Sequence, residues 1–176
     1  AWTLAQNGIP VTLWEMKPRK FSPAHHSPDF AELICSNSFK ASRLESAAGL
    51  LKAEMERLGS LCVPCAKETA VAAGGALAVD RDRFSALVTE KIRNHPLITV
   101  REGEVTEIPD GNVIIATGPL TSEALSAAIG ELISAEYLSF FDAAAPIVEA
   151  SSIDMDKVFF AARYGRGDDD YINCPF

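Results

Sequence analysis

No apolar run in this chain of 176 residues approaches the roughly eighteen residues that a bilayer-spanning helix needs. Nor does it open with the basic, apolar, small-residue succession of a secretory signal. Cysteine is sparse: four are present, and without such a signal they fit thiols of a reducing cytoplasm better than a disulfide framework. Basic residues are outnumbered, 16 Lys and Arg against 24 Asp and Glu for a net charge of −8. That balance argues against a general nucleic-acid coat protein but leaves room for a local basic patch. Internal repeats and low-complexity tracts are missing as well.

What is present is the composition of a globular protein, 48% hydrophobic and 23% charged. The length suits one ordinary domain, or a large domain with part of another. AWTLAQNG reads as the tail of a helix whose C′ residue is Gly8. IPVTLWEM then reads as a buried parallel strand ending in the acid Glu15. Helix, glycine turn and acid-ended strand make the second half of a dinucleotide-binding βαβ unit, where that acid accepts hydrogen bonds from a ribose. The glycine fingerprint belongs roughly 20 residues earlier, so the reading expects a chain cut at its start, and likewise at DDDYINCPF. Ser42 and Glu45 form an S-x-x-E box, predicting a helix with a stripe of Leu44, Ala48, Leu51, Met55 and Leu58, ended by Gly59. LCVPCAKETAVAAGGALAVD suggests short strand-like pieces. Asp80 is an N-cap for a helix carrying Phe84, Leu87, Val88 and Ile92, stopped at Asn94-His95-Pro96. LITVREGEVTEI and NVIIATG read as strands, and Thr121 or Ser122 caps a helix through Ile133. The order predicts an α/β protein: a partial Rossmann-like parallel sheet with helices over 1–120, then the start of a smaller α+β insertion domain over 121–176.

Several motifs invite chemistry. Cys62-Val-Pro-Cys65 could be a redox pair or half a zinc site, but the partner ligands are absent and no helix start is evident after it. Packing by small residues is the better reading, and no metal is expected. His25-His26 on a proline-bounded loop point apart and suit contact with an anionic ligand rather than joint chelation. His95 ends a helix, and Asp168-Asp169-Asp170 is a solvated loop. Cys35, behind the apolar AELI, is either a buried structural cysteine or a reactive thiol. The second reading needs cations or a helix start nearby, and Lys40, Arg43 and the predicted capped helix follow closely.

Set together, WEMKP (14–18), PAHHSPDFAELICSNSF (23–39), GLLKAEM (49–55), GGALAVDRDRF (74–84), EVTEIPDG (104–111), IIATGPLTS (114–122), FDAAAPIV (141–148), SIDMDKVFFAARY (152–164) and YINCP (171–175) carry a resemblance over nearly the whole chain. It resembles the bacterial folate- and FAD-dependent tRNA (uracil-5-)-methyltransferases, the TrmFO family, once grouped with the glucose-inhibited-division proteins. The resemblance implies a flavoprotein of dinucleotide-binding type with an insertion domain. It also implies methylation of C5 of the T-loop uridine of tRNA, with 5,10-methylenetetrahydrofolate as carbon donor, FAD as redox carrier and NAD(P)H as reductant. A thiol suits that chemistry, because uracil C5 becomes nucleophilic once a thiolate adds at C6.

By the same resemblance Glu15 is the acid that binds the FAD ribose. Ala116, Thr117 and Gly118 are the strand-end motif approaching the FAD, and the Val105 backbone meets the adenine. Cys35 is a functional cysteine, with Ser36 and Asn37 lining its loop beside the flavin. The family's second functional cysteine lies in a string absent here, so Cys174 does not take its role, and Cys62 and Cys65 match no family cysteine. The two missing portions lead to the expectation that this piece alone neither holds FAD tightly nor turns over. Two alternatives stand beside the methyltransferase: another FAD oxidoreductase using Cys62 and Cys65, or a non-catalytic RNA-binding module with a basic face of Lys17, Arg19, Lys20, Lys40 and Arg43.

Overall fold

The computed structural model describes residues 1–133, 149–161 and 172–173. A short helix α1 (Trp2–Gln6) leads into strand β1 (Val11–Glu15). Gly8 makes the turn between them at φ 77°, a left-handed conformation that glycine alone adopts without steric cost. Strand β1 pairs in parallel with β5 (Ile98–Glu102), in a register running from Val11 opposite Ile98 to Glu15 opposite Glu102. Parallel strands need a long crossover, and all the intervening elements supply it.

Within that crossover lie β2 (Ser38–Ala41), α2 (Ala47–Arg57), α3 (Cys62–Glu68), β3 (Ala70–Val71), β4 (Ala76–Val79) and α4 (Arg81–Arg93). Strands β2, β4 and β3 form an antiparallel sheet with β4 in the centre. Beyond β5 come α5 (Glu123–Ile133) and a small antiparallel pair, β6 (Phe159–Phe160) with β7 (Ile172–Asn173). The architecture is α/β, with a parallel pair and flanking helices as expected.

The core lies where α4 meets α3, β4 and β5. Phe84, Val79 and Cys65 are its largest fully buried side chains, joined by Ala66, Val88, Ile92 and Ile98. Burying a ring such as Phe84 is worth about 3 kcal/mol, and its edge meets Phe39 of β2 with centroids 5.3 Å apart. The Asp80 carboxylate accepts the Arg83 amide at 3.1 Å, capping α4 as expected. His95 does more than end that helix: its ring meets the edge of Trp2 at 5.2 Å, tying α1 to the end of α4.

Three expectations fail. The cap of α2 is Ser46, whose Oγ accepts the Gly49 amide at 3.0 Å. Ser42 is engaged elsewhere, bonding the Gly75 carbonyl through both its amide and its hydroxyl. The proposed stripe of α2 is consequently not its buried face: Leu44, Leu51, Met55 and Leu58 are all exposed, and Gly49 is the buried residue. The C-x-x-C segment is a helix start after all, since Cys62 opens α3 with Pro64 in its first turn, where a missing N–H costs nothing. Finally, NVIIATG and EVTEI form no strand, and Val113, Ile114 and Ile115 are exposed. β1 and β5 pair only with each other among the described residues, and this apolar run joins neither of their open edges.

Candidate functional site

Glu15 closes β1 at the carboxyl end of the parallel pair, the end where α/β sheets receive ligands. One of its oxygens accepts the Lys17 amide at 3.0 Å, which orients the carboxylate and leaves the other oxygen available. A cleft of about 790 Å³ opens beside it, walled by Trp2, Leu13, Phe30, Cys62 and Ala116 as well as Glu15. Its volume is that of a small-molecule site. Flat apolar walls around a single carboxylate at a strand end suit an adenosine, with the base against the apolar side chains and a ribose hydroxyl donating to the acid.

Glu15 and Ala116 thus meet at one cleft, though they are far apart in sequence. Thr117 and Gly118 follow at its edge, both exposed. The hydroxyl of Thr121 folds that turn back by donating to the Gly118 carbonyl at 2.8 Å, and Gly118 holds φ 70°. Val105 is half-buried in the irregular stretch after β5 and does not line the cleft.

Cys35, Ser36 and Asn37 form a second cluster outside the cleft. AELIC is irregular backbone, and Cys35 is exposed rather than sealed in the interior. The chain around it is strapped down on both sides. Before it, the Phe30 amide donates to the Thr89 hydroxyl at 2.8 Å, and Ser85 of α4 donates to the Ala31 carbonyl. After it, the Asn37 side-chain amide donates to the Val79 carbonyl at 3.1 Å, while the Val79 amide returns a bond to the Asn37 carbonyl at 3.0 Å. Ser36 Oγ accepts the Ser38 amide at 3.1 Å, closing a local turn. The thiol is therefore displayed from a short, fixed arch.

Sequence reasoning missed the support of this arch. Lys17 is buried, its ammonium donating to the Asp29 carbonyl and facing the Glu32 carboxylate. Burial opposes ionisation of Glu32, but the His26 and Ser27 amides, Lys17 and His25 outweigh it and hold the carboxyl below its ordinary range. Burial, then Lys17, pushes His25 below the usual histidine value. A lysine two residues after an apolar strand, itself alternately half-buried and exposed in the structure, was the available signal, since a cation carried into the interior must find an acid. The proposed basic face does not assemble: Lys17 is inside, and Lys20 is paired with Glu104 at 2.7 Å.

The remaining motifs are quiet. Burial raises the thiol values of both Cys62 and Cys65, the opposite of a reactive C-x-x-C pair. No cluster of metal-ligating side chains is found among the described residues, and no helix there is long and apolar enough to cross a membrane. Cys174 and Asp168-Asp169-Asp170 lie outside the described residues.

A family model described as Glucose inhibited division protein A matches residues 1–176. The chain is 62% identical over 177 residues to the methylenetetrahydrofolate–tRNA-(uracil-5-)-methyltransferase TrmFO of Geotalea uraniireducens. Proteins of the same name from Brevibacillus brevis and Bacillus subtilis are 58% and 57% identical over 175 residues. Each match takes in 99% of this chain and 40% of the relative, so the chain spans about two-fifths of their length.

Proposed function

The chain belongs to the glucose inhibited division protein A family, and on that premise we propose that it forms the adenosine-binding and thiol-bearing part of a folate-dependent tRNA uracil-5-methyltransferase. The observations that carry this reading are the exposed Cys35 on an arch fixed to α4 and β4, and, separately, a strand-end carboxylate in an apolar-walled cleft. It is supported by the name that the relatives carry.

In this reading FAD is held at the cleft, with Glu15 accepting from its ribose and Ala116, Thr117 and Gly118 lying against it. When bound, it supplies the two electrons that turn a methylene unit into a methyl group, replenished from NAD(P)H. The chain's own part is to position and to act on the pyrimidine. Cys35 acts on uracil, and Ser36 and Asn37 hold its arch in place. Residues 1–120 are the flavin-binding portion and 121–176 open the second domain. The protein works in the cytoplasm, on tRNA, with 5,10-methylenetetrahydrofolate as carbon donor.

The test is Cys35→Ala and Cys35→Ser in the intact protein, assayed for 5-methyluridine in unmodified tRNA. Loss of a covalent-catalysis group is expected to cut the rate by a factor of about 100 or more with flavin content unchanged. Full activity in both variants would rule out the assignment. Loss only on mutation of Cys62 and Cys65 would favour the other oxidoreductase reading.

A further inference from the structure

The arch that carries Cys35 runs directly into β2, and there the chain adopts an unusual backbone. Lys40 sits at φ 64°, in a region that residues other than glycine seldom occupy. Its strand slips register against β4 between Ser38 and Ala41, as a bulge does when it turns a side chain out of the ladder. Phe39 anchors the inner side against Phe84, and Lys40 is exposed.

Helix α2 brings a second cation to the same place. The Lys52 ammonium donates to the Phe39 and Ala48 carbonyls, each at 2.7 Å. Phe39 O belongs to the peptide that links residues 39 and 40, so the Lys52 charge is fixed beside the backbone of Lys40. Those bonds use two of its three protons. Burial, and after it the charge of Lys40, lower the Lys52 value, and no carboxylate opposes them. Neither lysine takes part in an ion pair among the described residues. Two like charges held together without an acid disfavour one another until an anion shares them.

We propose that Lys40 and Lys52 form an anion site for a backbone phosphate of the RNA strand, an assignment that rests on the tRNA-acting reading above. The site is exposed and carries point charges without a bidentate fork, which suits holding a passing strand rather than reading a base. It lies on the strand that leaves the Cys35 arch, where RNA presenting a pyrimidine to that thiol must pass.

The experiment titrates a fluorescent T-arm RNA hairpin into the intact protein from about 50 to about 200 mM KCl. Lys52 also holds backbone carbonyls, so Lys40, whose side chain makes no hydrogen bond or ion pair among the described residues, is the residue to change. Lys40→Gln is expected to weaken binding about 3- to 10-fold at low salt and to reduce the slope of log K against log salt by about one. Lys40→Arg is expected to restore both. Unchanged affinity and slope in Lys40→Gln overturn the site. So does an effect confined to flavin retention or to the KM for the folate, which would assign the pair to a small anion. Binding needs no turnover, so Lys40-dependent RNA binding by a protein that installs no methyl group sinks the proposed function and leaves this site standing.

Discussion

Lys17 Nζ and Glu32 Oε2 lie 3.5 Å apart beneath the loop that joins β1 to the Cys35 arch. Their side chains are 4% and 15% exposed. The other Glu32 oxygen accepts the His26 and Ser27 amides at 2.9 and 3.0 Å, whereas Oε2 is buried without a hydrogen bond. The lysine charge is therefore what compensates that oxygen. The pair links the end of β1, where Glu15 sits, to the approach of the thiol.

Lys17→Met is expected to destabilise the fold by about 3 kcal/mol, because it leaves a largely buried carboxylate unpaired. Adding Glu32→Gln should recover part of that loss, since both changes act on one interaction. Urea denaturation of the single and double variants measures the coupling, and strictly additive losses would contradict it.

Acid should weaken the same loop in two stages. The folded-state values of His25 and Glu32 both lie below their ordinary 6.5 and 4.5. Each group therefore binds more protons unfolded than folded, and stability falls as pH drops. The His25 contribution is complete above about pH 6.5 and is lost below it, through the folded histidine value; the Glu32 contribution is lost below about pH 4.5. Denaturation midpoints between about pH 7 and about pH 3 should flatten in their upper part for His25→Asn and in their lower part for Glu32→Gln.

Gly49→Ala should destabilise α2, although alanine is the better helix former by about 1 kcal/mol. A Cβ at this position would stand 1.8 Å from the Arg43 carbonyl oxygen and 2.9 Å from the Ser46 hydroxyl that caps the helix. Overpacking of that kind costs about 1–3 kcal/mol, so a net loss in melting temperature is expected, and a gain would refute the close approach.

Timed alkylation of the native protein should modify Cys35 before Cys62 and Cys65. Cys35 is exposed, whereas Cys62 is half-buried and Cys65 fully so, and burial holds both of those thiols in their protonated form. Peptide mass spectrometry gives the order directly, and earlier labelling of Cys62 would reverse the assignment of the reactive thiol.

How far the chain could be read from its residues varied with the range of the interaction involved. Asp80, Gly8 and Gly59 are local signals, satisfied within a turn, and the structure uses them as expected. Strand β1 was evident as a parallel strand from its run of β-branched and apolar residues, and β5 as a strand from the alternation in LITVREGEVTEI. Ser42 was misread because two serines compete for one helix start, and the choice fell to the Gly75 carbonyl, contributed by the distant turn before β4. Cys62 was misread because Pro64 suggested a break, while proline is tolerated in a first turn. NVIIATG has the composition of a strand, but a strand also needs a neighbour, and composition does not supply one. At the site, Glu15 and Cys35 stood out by position and type. The Lys17–Glu32 link did not, since only the fold brings those side chains together.

The bonds from Phe30, Ala31 and Asn37 to α4 and β4 also decide which molecule must move. A sulfur on so short a tether sweeps little volume, so in the reaction proposed above the pyrimidine has to travel to it. The uridine must swing out of its stack, at a cost of about a few kcal/mol borne by the RNA. Substrates whose loop is already loosened should accordingly be modified faster than tightly stacked ones.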